Sequence, residues 1–117
     1  MILALVDDLF FSTRIAGVAA RFGIPLKVVT SRQDLLDVLP QGPDKIILDL
    51  NCGSCDPVEI IREVRSLYPA VSLVAFASHV QSERIEVARQ AGCNQVVARS
   101  YFTAHLPEIL KGSVDSG

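Results

Sequence analysis

Three aspartates carry the strongest chemical signal in this 117-residue chain. Asp7 and Asp8 follow directly on the apolar run Ile2–Val6, and Asp49 stands at the end of another, Lys45–Leu50. If both runs are strands of one sheet, three carboxylates converge at one edge. Mutual repulsion and lost solvation then raise their pKa values unless a cation neutralises the group. Carboxylate oxygens together with a backbone carbonyl suit a hard cation that keeps several waters, as Mg²⁺ does. A strand-end aspartate also serves as the N-cap of a following helix, so the pattern alone leaves both roles open.

A second constellation is Cys52-Gly53-Ser54-Cys55, a C-x-x-C in a loop ahead of a helix start at Asp56-Pro57. Redox pairs sit in such places, where the helix dipole favours thiolates. A zinc half-site would need two more ligands, and Cys93 is expected at the opposite sheet edge. The plainer expectation is two small loop residues whose thiols have no role. Three cysteines at this density make no disulfide framework.

The elements that must position these groups alternate along the whole chain. Ile2–Val6, Leu26–Thr30, Lys45–Leu50, Val71–Ala77 and Gln95–Ala98 are short and almost continuously apolar, as parallel strands covered on both faces are. Between them Ser12 can cap a helix carrying Ile15, Val18, Ala19 and Phe22, stopped by Gly23. Ser31 with Asp34 resembles a capping box ahead of Leu35, Leu36 and Leu39, ended by Pro40 and Gly42. Asp56, Pro57 and Glu59 start a third helix whose inward face is Ile60, Ile61, Val64 and Leu67. Ser82 can cap a fourth, with Glu83, Arg84, Glu86 and Arg89 outward, and Thr103 a fifth, with Leu106, Ile109 and Leu110 inward. Strict β–α alternation predicts an α/β fold, a doubly wound five-stranded parallel sheet of flavodoxin-like (βα)5 form. In such sheets chemistry gathers at the carboxyl ends of the strands, where all three aspartates fall.

Composition narrows the function classes. The chain is 50% apolar and 21% charged, with a net charge of −2, which fits a single packed domain and argues against a nucleic-acid or anionic-membrane surface. No apolar run approaches the roughly 20 residues that span a bilayer, and no basic leader precedes Ile2. The expectation is one cytoplasmic domain over residues 1–112 with a frayed tail over 113–117.

Taken together, VDD closing the first strand, LDLN closing the third, the alanine-rich end of the fourth and Gly92 before the fifth resemble the receiver domain of two-component response regulators, over essentially the full chain. The resemblance implies that Asp49 accepts a phosphoryl group from a kinase phosphohistidine and that Asp8 binds Mg²⁺ directly. It further implies that Asp7 holds a metal-bound water and that Asn51 offers its backbone carbonyl to the metal. The departures are as informative. The strand-four Thr/Ser of the family falls on Ala77, with Ser78 one step later; the strand-five lysine falls on Arg99, the proline after it on Ser100, and the switch aromatic on Val97. Gly53 and Ser54 stand where Pro-Gly is usual. Arginine keeps the charge and can fork onto phosphate, but with another length and geometry. His79, two residues past Ala77, is either a solvated loop residue or a gate on water attacking the acyl phosphate.

The reading is therefore a signalling receiver phosphorylated on Asp49 with Mg²⁺, with Arg99 and Ser78 assisting and a weakened conformational switch. It would be no enzyme beyond its own phosphorylation and dephosphorylation. Its partner would be a histidine kinase or a histidine phosphotransfer protein, and its output surface the fourth helix, fifth strand and fifth helix, including Glu83–Gln90, Tyr101 and Phe102. That surface also allows a homodimer; no direct nucleic-acid or membrane contact is expected. The alternatives are a degenerate receiver serving as a phosphorylation-independent interaction module and, more distantly, a small redox protein built on Cys52 and Cys55.

Overall fold

The computed structural model describes residues 1–53, 55–78 and 82–112. Five strands, β1 (Ile2–Leu5), β2 (Leu26–Val29), β3 (Lys45–Asp49), β4 (Ser72–Ala77) and β5 (Gln95–Ala98), form one parallel sheet in the order β2-β1-β3-β4-β5. Each lies within a residue or two of its apolar run. The register sets Leu5 beside Leu48, Asp49 beside Phe76 and Ala77 beside Ala98. From β1 the chain turns outward to β2 and then crosses back to β3 on the other side. The loops leaving β1 and β3 therefore diverge, and the crevice between them opens at the carboxyl edge.

The helices among the described residues are α1 (Leu9–Arg21), α2 (Arg32–Val38), α3 (Pro57–Leu67), α4 (Ser82–Ala91), α5 (Arg99–Ala104) and α6 (Leu106–Lys111), with a 3-10 turn at Leu39–Gln41. They bury the sheet from both sides. Leu3, Leu5, Ile46, Leu48 and Leu73 pack against Leu35, Ile60, Ile61, Val64 and Ala88. On the other face Ala4, Ile47, Val74 and Phe76 meet Phe11, Ile15, Phe102, Leu106 and Ile109. A core of this extent explains why no disulfide is needed.

Three sequence expectations change. Helix α1 is capped by Asp8, whose Oδ1 accepts the Phe11 amide at 3.1 Å, and not by Ser12. Ser12 is buried inside the helix, and its hydroxyl donates to the Leu9 carbonyl. The last helix starts at Arg99 instead of Thr103 and is interrupted at His105. Pro107 has no N–H to donate four residues back to Thr103, so the chain breaks and restarts with the proline in the first turn of α6. Leu67, expected inward, is 59% exposed at the end of α3. The caps at Ser31 and Asp56 form as expected, through the Asp34 amide and the Val58 and Glu59 amides.

One charged residue ties three elements together at the amino edge. The Arg65 guanidinium of α3 donates to the carbonyls of Gly92, Pro69 and Val71 and to Asn94 Oδ1, which also accepts the Leu73 amide at 2.7 Å. Gly92 sits at φ +128°, and a Cβ there would meet Arg65 Cγ at 3.0 Å, so both conformation and space demand glycine. Arg65→Met is expected to lower stability by about 2 kcal/mol in urea unfolding, because it leaves the two part-buried carbonyls of Val71 and Gly92 unpaired.

Candidate functional site

Asp49 ends the central strand and is only 3% exposed. Its Oδ1 accepts the Asn51 amide at 2.8 Å, and its own carbonyl accepts the Cys52 amide at 3.0 Å, so the chain turns tightly around the carboxylate. Burial pushes the Asp49 carboxyl above its ordinary value, and the charges of Asp7 and Asp8 push it further. The Asn51 amide and Arg99 pull the other way without prevailing.

Asp7 and Asp8 flank this group from the end of β1. Asp7 is exposed and accepts the Gly53 amide on Oδ2 at 3.0 Å, which holds the loop after β3 against the loop after β1. Asp8 has two partners. Beyond capping α1, its Oδ2 pairs with the Arg99 guanidinium at 3.1 Å, across 91 residues of sequence. The cap bond and Arg99 together hold the Asp8 carboxyl below its ordinary value. Arg99 in turn lies over the Phe11 ring, 4.2 Å from its centroid, while Phe11, Phe76 and Phe102 pack ring to ring beneath. The charge penalty foreseen for the acidic group thus falls on Asp49, through burial more than through repulsion, whereas the Asp8 carboxylate is held by the cap bond and Arg99.

This arrangement bears on the expected cation. Among the described residues no three carboxylate, histidine or cysteine side chains stand together as a ready metal cluster. The donor set is nonetheless of the right chemistry, since Asp7 and Asp8 lie near enough for their charges to act on Asp49, and Asn51 sits two residues beyond it. A hard cation fits if Arg99 cedes Asp8.

On the other side of Asp49, Ala77 is fully buried at the end of β4 among Leu48, Leu50 and Ala88 and has no hydroxyl to offer. Ser78 is half-buried just past the strand. Its amide donates to Asn51 Oδ1 at 3.2 Å, and it lines a cleft of about 450 Å³ with Ala98, Arg99, Ser100 and Thr103. Arg99 lies one residue beyond β5, at the first position of α5. Val97 is half-buried and packs against the phenylalanine cluster. Phe102 is wholly buried, so of the proposed output pair only Tyr101, 46% exposed and stacked on His105, can meet a partner. The His79 assignment lies outside the described residues. Cys52 and Cys55 bring their sulfurs within 3.2 Å, while Cys93 precedes β5 at the opposite edge.

Two contributors escape sequence reasoning. Phe11 supports Arg99, but on paper it is only one more apolar residue of a helical stripe. Arg84 of α4, expected simply to face outward, donates to the Leu50 carbonyl beside the acceptor at 2.8 Å.

No family model matches the sequence, and no curated protein matches it. Solved structures do. The receiver domain of NtrX from Brucella abortus superposes with a TM-score of 0.80 at 17% identity, covering 97% of this chain and 100% of that one. The fold is that of response-regulator receiver domains. A response regulator from Thermotoga maritima matches at TM-score 0.81 and 15% identity, over 99% of this chain and 97% of the other. A receiver domain from Clostridium thermocellum reaches 0.82 at 16% identity, over 94% and 90%. The sequence resemblance and the fold thus point the same way. No helix among the described residues is long and apolar enough to cross a membrane.

Proposed function

We propose that this receiver fold works as a phosphorylation switch in two-component signalling, with Asp49 as acceptor. The observation that carries the reading is the buried Asp49 carboxylate at the end of the central strand, flanked by Asp7 and Asp8 and faced by the cation of Arg99. A carboxylate oxygen of Asp49 attacks phosphorus in line with the P–N bond of a phosphohistidine. That bond breaks, and the freed imidazole nitrogen takes up a proton. Asp7, Asp8, Asp49 and the Asn51 carbonyl would hold Mg²⁺, which supplies positive charge for the phosphoryl oxygens. Arg99 leaves Asp8 and forks onto the phosphoryl group, assisted by the hydroxyl of Ser78, which lines the same cleft as Arg99. The phosphoryl donor would be a histidine kinase or a histidine phosphotransfer protein.

The test is intact mass after acetyl phosphate treatment with and without Mg²⁺. The expected result is the gain of one phosphoryl group, only with Mg²⁺, and mapped to Asp49. A protein that never gains it would be a phosphorylation-independent interaction module. A second expectation concerns the metal itself. Amide signals at the ends of β1 and β3 should titrate with Mg²⁺ in the millimolar range, and Asp8→Asn should weaken that binding strongly. Asp8→Asn should not stabilise the metal-free fold, because it removes a partner from Arg99 while asparagine still caps α1. Signals indifferent to tens of millimolar Mg²⁺ would remove the metal from the proposal.

A further inference from the structure

The loop between β3 and α3 holds a feature that phosphoryl transfer leaves unused. Cys52 and Cys55 are thiols with their sulfurs 3.2 Å apart, about 1 Å beyond the length of a disulfide bond. Cys52 is buried and Cys55 half-buried. Both line an open cleft of about 590 Å³ whose other walls include Asp56 and Pro57 at the start of α3 and Arg84 and Val87 on α4. Of the two, Cys55 is the more exposed to a small solute in the cleft, and Cys52 the more enclosed. That is the geometry of an attacking and a resolving thiol.

We propose that Cys52 and Cys55 form a reversible intramolecular disulfide by exchange with a low-molecular-weight disulfide, and that this bond slows phosphorylation at Asp49. In the first step the Cys55 thiolate attacks one sulfur of the small disulfide. The S–S bond breaks, and the departing thiolate takes up the proton that Cys55 lost. The Cys52 thiolate then attacks the Cys55 sulfur, forming the protein disulfide and expelling the second small thiol, which takes up the other proton. Two protein thiols are oxidised and one small disulfide is reduced to two thiols; a reduced dithiol reverses the exchange.

The coupling to Asp49 runs through the loop backbone and rests on the phosphoacceptor reading. The amides of Asn51 and Cys52 donate to the Asp49 side chain and carbonyl, and the amide of Gly53 donates to Asp7. Closing the sulfurs loads the segment that makes all three bonds. Asp7 and the Asn51 carbonyl are among the groups that would hold the cation, and a Cys52–Cys55 link restrains the loop that positions both.

The experiment equilibrates the protein with oxidised glutathione, quenches in acid, and reads intact mass and peptide maps. The expected product has lost two hydrogen atoms, mapped to a Cys52–Cys55 link, and regains them with dithiothreitol. Cys93, buried and with its thiol pushed up to about 12, serves as the internal control that stays unmodified. Recovery of both thiols, or a glutathione adduct that persists on Cys55, overturns the disulfide. Acetyl phosphate labelling is then compared between forms. The oxidised protein should react about fivefold more slowly than the reduced one. Cys55→Ser should match the reduced rate whatever the oxidant. Equal rates for the oxidised and reduced forms overturn the coupling. Failure of the reduced protein to label at all counts against Asp49 as acceptor and leaves the thiol result standing.

Discussion

Asp49→Asn is expected to eliminate phosphoryl labelling and, in the same protein, to raise resistance to urea. The first effect follows from chemistry, since an amide oxygen cannot form the acyl phosphate. The second follows from burial. The folded state holds a nearly enclosed carboxylate against two neighbouring acids, and its pKa is raised for that reason. A folded-state pKa above the ordinary 3.8 means that the folded protein binds its proton more tightly than the unfolded chain does. Stability from this group is therefore full below the unfolded value and is lost as pH rises through the folded one. At neutral pH the charged Asp49 opposes folding. Asparagine keeps the shape, can still accept the Asn51 amide, and removes the charge, for a gain of about 1 kcal/mol. The check is a pair of urea titrations across pH 4 to 7. Wild type should lose stability relative to the variant as pH rises, with no Mg²⁺ present. A variant less stable than wild type at neutral pH would mean that the carboxylate is held by attraction, contrary to the site described above.

What the sequence made legible and what it hid divide along a physical line. Apolar runs placed all five strands because a parallel sheet covered on both faces needs nothing else from its residues. Asp56-Pro57 and Ser31 marked helix starts because capping is a contact across two or three positions. Asp8 was harder: it satisfied the pattern of a metal ligand and of a cap at once, and Ser12 offered a competing start. The structure gives Asp8 the cap and a distant cation as well. Its contact with Arg99, the cover that Phe11 provides and the grip of Arg65 on Gly92 and Asn94 join residues far apart in the chain. No local periodicity encodes them. The break at His105 lay in plain view in Pro107, but a proline fits the first turn of one long helix as well as the restart of a second, and local pattern does not choose between them.

The other large effect expected is a near-silence. Loaded with a beryllofluoride-type phosphoryl mimic and Mg²⁺, the protein should shift its amide signals around Asp49, Asn51, Ser78 and Arg99, while the surface of α4, β5 and α5 stays almost unchanged. In receivers the phosphoryl group draws in a strand-four hydroxyl and a strand-five aromatic follows into the space left. A ligand shifts such an equilibrium only by the difference in its contact energy between the two states. Here Ala77 holds the strand-four position, fully buried and without a hydroxyl. A missing charge-assisted hydrogen bond forfeits about 1.5–3 kcal/mol, roughly 10- to 150-fold in the equilibrium. Val97 has no ring to swing, and it already packs against the cluster that includes Phe76 and Phe102. Arg99 can recover contact energy by trading Asp8 for the phosphoryl group, yet it does so from the start of α5 and leaves β4 in place. The response should therefore stay local, with Arg99 lifting from Asp8 and Phe11 as its main event. Arg99→Ala should then erase most of the mimic-induced shifts near Phe11. Large concerted shifts from Glu83 to Arg99 in the unmodified protein would overturn this and assign the missing hydroxyl's work to Ser78, the half-buried residue whose amide Asn51 already holds.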